Sequence, residues 1–187
     1  MADPTTTHFA LPYPILGDSP AGPAQIQALA TTIDTALFTL SADHSCRVYR
    51  SSGDGAASIG TGVDVTVNFP TVKFDTDSFH TANDRITIPT GLGGKYVVGG
   101  GVRFQADAGG NRRTIHIDVN GSGNPIVMQS APANGSVDAR ISVSTVIDLA
   151  ATNYIQLHAY QDSGNALNGV IDNPAFPCLW AYRIPFL

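Results

Sequence analysis

From Val63 onward the chain alternates apolar and polar residues with a period of two. Val63, Val65, Val67 and Phe69 alternate with Asp64, Thr66 and Asn68. The pattern recurs at Ile86 and Ile88, at Tyr96, Val98, Val102 and Phe104, and at Ile115, Ile117 and Val119. It returns at Ile141, Val143, Thr145 and Ile147, at Ile155, Leu157 and Ala159, and along residues 178–184. Shorter pieces stand at 72–74 and 125–130. Successive side chains of a strand point to opposite faces, so each segment predicts a strand with one face in a core. Turn signals separate the segments: GLGG, DAGGN, NGSGN, PANGS and DSGN. This spacing predicts about eight to ten strands. One-sided alternation predicts antiparallel sheets. The fold class expected is all-β, an antiparallel jelly-roll sandwich, preceded by an extended Pro-rich arm and one short α-helix.

The N-terminal part follows other rules. Pro4, Pro12, Pro14, Pro20 and Pro23 fix φ and remove backbone donors, so residues 1–23 cannot form a ladder or a long helix. They are expected to form a docking arm, with Leu11, Tyr13, Ile15 and Leu16 as its apolar anchors. Residues 24–40, AQIQALATTIDTALFTL, predict a helix in which Ile26, Leu29, Ile33, Ala36 and Leu40 recur at steps of three and four. That is a narrow apolar seam, broadened by Leu37. Two packings suit it: against its own domain, or against symmetry mates about an axis. Residues 41–62 read as a Gly/Ser/Ala-rich linker with a short strand at 47–51, and residues 63–187 as the knob.

Composition sharpens this picture. Charged residues are 13 % of the chain, its 15 acidic residues are all Asp, and Lys73 and Lys95 are its only lysines. Exposed helix faces normally carry Glu and Lys, so their scarcity argues for a β body. The net charge of −5, with no basic run, argues against nucleic acid as a partner. No run of 18 apolar residues predicts a membrane-spanning helix. The opening MADPTTTHFALPYP has neither the charge nor the apolar stretch of a signal peptide, which predicts folding in the cytosol that makes it. Cys46 and Cys178 are expected as separate reduced thiols in or near the core, with a disulfide as the alternative.

The order of the segments resembles a known jelly roll. An ITIP strand is followed by GLGGKYVVGGGVRF, TIHIDVNGS, ISVSTVIDLAATNYIQLHAYQDSG and a terminal LWAYRI. Residues 63–187 are similar in this order to the complement globular-head and tumour-necrosis-factor-like domains. The matching motifs are Gly94 to Tyr96, the pair Asn120 and Gly121, and the step from Asp148 to Leu157. The family's Gly in the final strand is replaced near Ala181. The resemblance implies a homotrimer with the last strand by its axis. The segment LPYPILGDSPAGPAQIQALATTIDTAL resembles the opening of tail, fibre and other minor virion proteins of phages of actinobacteria. That likeness implies a virion protein, docked on other virion proteins by its arm.

Candidate chemistry is sparse. Asp75, Asp77 and His80 in FDTDSFH could ligate a metal, but a solvated loop is the preferred reading. Asp118, Asn120 and Ser122 superficially follow a calcium loop, yet Gln129 stands where a bidentate carboxylate is needed. A hairpin turn is expected there. Weak calcium sites from loop Asp residues at a trimer apex stay open. No G-x-S-x-G elbow or Walker loop occurs. His116 and His158 are read as outward-facing, interface or pore-side residues. Gly99, Gly100 and Gly101 are read as a bulge or as close packing near a threefold axis. Trp180, Tyr182 and Ile184 share one face of the last strand; Leu179, Ala181 and Arg183 share the other. No catalytic residue, metal site or cofactor is assigned.

The expectation is therefore a non-enzymatic structural protein of a phage virion. It would be a trimeric knob on the tail or fibre tip, meeting a host-surface glycan or protein. The alternatives are a trimeric head decoration protein and a jelly-roll glycan hydrolase.

Overall fold

The computed structural model describes residues 22–41, 43–172 and 175–185. They fall into two compact units, one holding the N-terminal helix and the other spanning Asp43–Ile184. The anchors Leu11, Tyr13, Ile15 and Leu16 lie outside the described residues.

The helix α1 runs over Gly22–Ser41, close to the predicted span. Three of its threonines turn inward on the backbone: Thr31 Oγ1 donates to the Gln27 carbonyl, Thr32 to Ala28 and Thr35 to Thr31, each at 2.9 Å. Back-bonds of this kind to the i−4 carbonyl weaken a helix slightly and favour bending. Along the predicted seam Ile26 and Ile33 are exposed, as is Leu37, while Leu29 and Ala36 are half-buried. The side chain of Leu40 lies outside the described residues.

The second unit is a two-layer antiparallel sandwich. Its strands are β1 (Ser45–Tyr49), β2 (Ala57–Ile59), β3 (Asp64–Thr66), β4 (Thr71–Asp75), β5 (Ile86–Thr87) and β6 (Gly94–Phe104). They continue with β7 (Asp107–Val119), β8 (Val127–Asn134), β9 (Ala139–Leu149), β10 (Tyr154–Gln161), β11 (Leu167–Gly169) and β12 (Cys178–Arg183). One sheet has the order β2-β11-β6-β12-β1-β4, with β9 on the other edge of β6. The second has the order β3-β10-β7-β8, with β5 also on β10.

The period of two sets which residues enter the core. Ile115 and Ile117 from β7, Ile155, Leu157 and Ala159 from β10, and Leu179 and Ala181 from β12 are all fully buried. Phe69, Phe79, Tyr96 and Phe104 fill the space between the sheets. Burying an aromatic or branched side chain contributes roughly 1.5–3 kcal/mol, so this layer dominates the stability of the unit. Tyr96 keeps its hydroxyl satisfied by donating to the Leu92 carbonyl at 2.6 Å.

Several boundaries differ from the sequence reading. The segment 41–62, read as a linker with a short strand at 47–51, carries β1, a 3-10 turn (Ser52–Asp54) and β2. β1 pairs with both β12 and β4, so it is an interior strand. Only Cys46 and Val48 face the core there, too few positions to stand out as alternation. β2 and β11 pair with each other and offer one or two apolar anchors apiece. β3 ends at Thr66, yet Val67 and Phe69 are buried beyond it. The loop DAGGN is absorbed into a longer β7 through a register shift between Asp107 and Arg112.

Gly99, Gly100 and Gly101 form no bulge: the ladders of β6 with β9 and with β12 pass through them without a register shift. They are there for room. A Cβ at Gly99 would strike the Trp180 ring, and one at Gly101 the Phe176 ring. Cys46 and Cys178 are free and buried. Burial raises both thiols, Cys46 to about 12, so neither is a ready nucleophile.

Candidate functional site

Two outer faces of the sandwich carry unusual chemistry. The first belongs to the larger sheet. Because Leu179 and Ala181 point into the core, Trp180 and Tyr182 point away from it. Register places Trp180 beside Gly99 and Arg47, and Tyr182 beside Val97 and Ser45. Phe74 follows on β4, paired with Arg47. The Tyr182 ring lies 5.8 Å from Phe74 and 5.8 Å from Trp180. Val146, across from Val97 on β9, is 59 % exposed, and Tyr182 39 %. A pocket of ≈ 350 Å³ opens on this face between Arg47, Ser142, Ser144, Phe176 and Trp180. This apolar band is built of side chains that shield one another only in part.

The second face belongs to the smaller sheet. Inward Ile115 and Ile117 force Thr114, His116 and Asp118 outward, and inward Ile155, Leu157 and Ala159 do the same for Gln156, His158 and Tyr160. The β7–β10 register sets His116 directly opposite His158, and the β10–β3 register sets His158 opposite Thr66. The two imidazoles are stacked, with centroids 4.8 Å apart and planes 4° from parallel. Asp64 Oδ2, from β3, lies 3.3 Å from His116 Nε2 and 3.7 Å from His158 Nδ1. On the other side, Asp118 Oδ1 lies 3.4 Å from His158 Nε2. The second Asp118 oxygen accepts from the Gly123 amide at 2.9 Å.

The expected outward orientation of His116 and His158 holds, but this outward face is not wet. His116 is 7 % exposed and Asp118 is fully buried. His116 Nε2, His158 Nε2 and Asp118 Oδ1 are buried without a hydrogen-bond partner among the described residues. Burial, above all, holds the His116 imidazole below the usual histidine range; Asp64 opposes this and the stacked His158 adds to it. A pocket of ≈ 260 Å³ lined by Asp64, Arg112, Thr114, His116, Met128 and Tyr160 brings solvent to the Asp64 side of the cluster.

The other sequence candidates are structural. Asp75 accepts from the Phe79 and His80 amides at 2.8 and 2.9 Å. Asp77 is paired instead with His44, at 2.9 Å, and with the Thr76 hydroxyl. Asp75 and Asp77 therefore serve separate partners, and His80 Nε2 is buried without a hydrogen-bond partner among the described residues. Asn120 and Gly121 both have positive φ, 58° and 61°, as a type I′ turn requires, and the Ser122 amide closes the turn on the Val119 carbonyl. The Asp118 to Ser122 stretch is a hairpin turn. What the sequence reading left unconnected is the fourfold meeting of Asp64, His116, Asp118 and His158. Shared parity within β7 was a usable signal for His116 and Asp118; the arrival of His158 and Asp64 depends on pairings that no local pattern specifies.

Comparison with known proteins places the fold. No family model and no curated protein matches the chain. Among solved structures, the chain is similar to murine APRIL, determined at pH 5.0, with a TM-score of 0.58 and 10 % sequence identity. The match covers 76 % of this chain and 100 % of that one. The β body is thus a jelly roll of the tumour-necrosis-factor type.

Proposed function

We propose that this chain is a non-enzymatic structural protein of a phage virion that works as a homotrimer. The observation that carries the reading is the apolar band of Phe74, Val97, Val146, Trp180 and Tyr182 on the outer face of the larger sheet. A monomer gains nothing from leaving such a band in water, and contiguous exposed apolar surface marks an interaction site. The occupant proposed is the same band on two further copies of the chain. Exposed Ile26, Ile33 and Leu37 on α1 supply a second apolar stripe for the same three copies. The phage assignment rests on the likeness of residues 11–37 to virion-protein openings. The knob would sit on the tail or fibre tip and help attach the particle to a host-surface glycan or protein. Three weak sites per trimer, on several trimers per particle, would give avidity without one tight site.

The test has two parts. Light scattering on the purified chain should give three times 19.5 kDa. The double variant Val146→Asp, Tyr182→Asp should fall to monomers with its circular dichroism retained, whereas an unchanged trimer would remove the band from the interface. Ile26→Asp with Ile33→Asp asks the same of the helix. Antibody against the knob, located on intact particles by electron microscopy, should mark the tail end. Label over the head would move the assignment to decoration, and absence of label would end the virion reading.

A further inference from the structure

We propose that the outer face of the smaller sheet is a binding site for one divalent transition ion of the Zn²⁺ class, held by Asp64 Oδ2, His116 Nε2 and His158 Nδ1. Asp118 is the positioning carboxylate behind His158. The proposal goes beyond the assembly reading and does not depend on it.

Three donor atoms from three strands converge, all within 4.8 Å of one another. Ligands on a tetrahedral Zn²⁺ with bonds of about 2.0–2.1 Å stand about 3.3 Å apart. The Asp64 distances, 3.3 and 3.7 Å, are already near that separation. What remains is for the two parallel rings to tilt toward each other, a side-chain rotation that leaves the ladder in place.

The protonation pattern suits a metal. Asp118 faces His158 Nε2 at 3.4 Å and so favours the proton there, which leaves the lone pair on Nδ1. The Thr66 hydroxyl lies 3.4 Å from that Nδ1, and rotation of its proton away frees the lone pair for an ion. A ligating histidine whose second nitrogen faces a carboxylate is the usual outer arrangement of a protein metal site. Asp118 is fully buried and has one oxygen without a hydrogen bond, a poor arrangement for a carboxylate unless a positive charge sits nearby. Charge also balances: two carboxylates and two neutral imidazoles with one divalent ion sum to zero.

The donor set chooses the ion. Two imidazoles and one carboxylate favour Zn²⁺ and its neighbours over Ca²⁺ or Mg²⁺, which prefer all-oxygen shells. The pocket beside Asp64 leaves the fourth position open to water or to a ligand atom from outside.

The experiment uses the full, untagged chain, stripped with chelator and dialysed. Zn²⁺ titrated by calorimetry should bind at one ion per chain, and saturation should raise the melting temperature. Co²⁺ should give the intense visible bands of a tetrahedral site, bleached by Zn²⁺. Asp64 is 44 % exposed, so Asp64→Asn should fold normally yet weaken Zn²⁺ binding at least tenfold. His158→Gln should abolish it, and Asp118→Asn should weaken it 10–100-fold. Absence of saturable binding up to millimolar Zn²⁺ would overturn the proposal. So would binding that Asp64→Asn and His158→Gln leave unchanged, since the ion would then sit elsewhere.

Discussion

Arg113 is the largest fully buried side chain of the β body, and its removal should be costly. It shares the inward parity of Ile115 and Ile117, so β7 delivers a guanidinium to the end of the core. There it donates to three backbone carbonyls, those of Arg112, Asp107 and Gly109, each at 3.0 Å. The carboxylates of Asp107 and Asp162 stand 3.7 and 3.6 Å away. Arg113→Met keeps the stem and removes the head. Asp107 retains the Gly109 amide, and Asp162 retains the amides of Asn111 and Arg112, so the carboxylates stay satisfied. The three carbonyls lose their charged donor. The Asp107 and Gly109 carbonyls belong to half-buried residues and the Arg112 carbonyl to an exposed one, so each loses only part of the roughly 1–3 kcal/mol of a fully buried acceptor, and the three act together rather than adding. A loss of about 2–4 kcal/mol is expected, from the unpaired carbonyls together with the lost packing of the guanidinium. For a chain of this size, that lowers the melting temperature by roughly 4–16 °C. Arg113→Lys should recover less than half of it, because a single ammonium cannot reach three carbonyls in a planar fork. Guanidinium unfolding followed by the fluorescence of Trp180 measures both variants. A loss under about 1 kcal/mol for Arg113→Met, or full recovery with Lys, would show that water replaces the guanidinium and would refute the reasoning.

Two further predictions address packing and pH. Gly99→Ala should destabilise by about 1–3 kcal/mol, because the new Cβ meets the Trp180 ring on one side and the Val143 carbonyl oxygen, at 2.7 Å, on the other. Trp180 is the sole tryptophan, so its emission should shift to the red as the ring is lifted; an unaltered spectrum and melt would deny the close contact. Asp54 accepts from the Thr71 hydroxyl at 2.7 Å and from the Ser51 amide and hydroxyl at 2.7 and 2.8 Å, and these bonds, led by Thr71, hold its carboxyl below the usual range. A depressed carboxylate pKa contributes stability that is present above its unfolded value, near 4, and is lost as pH falls through the folded value. Asp54→Asn should therefore lower the melting temperature at pH 7, and the gap to the unmodified chain should close below pH 4. A gap that persists unchanged at pH 2 would show that the charge is not what the loop uses.

The period of two was enough to place most strands and to divide each into an inner and an outer face. The Trp180/Leu179 split on β12 and the burial of Ile115, Ile117, Ile155 and Leu157 follow from it directly. The helix and the Asn120–Gly121 turn were legible for the same reason: each is decided by residues adjacent in the chain. Short strands such as β2 and β11 were not, because one or two apolar residues make no period and pairing alone holds them.

The histidine cluster marks the boundary between the two kinds of information. Parity alone put His116 and Asp118 on one face of β7 and His158 on one face of β10. That these faces are shared, that the register matches 116 with 158, and that Asp64 closes the group came from strand pairing across the sheet. Backbone ladders accept any partner strand, so local sequence cannot choose among them. The choice is made by the collective fit of the core beneath, and the buried polar atoms on the outer face are carried into contact by it.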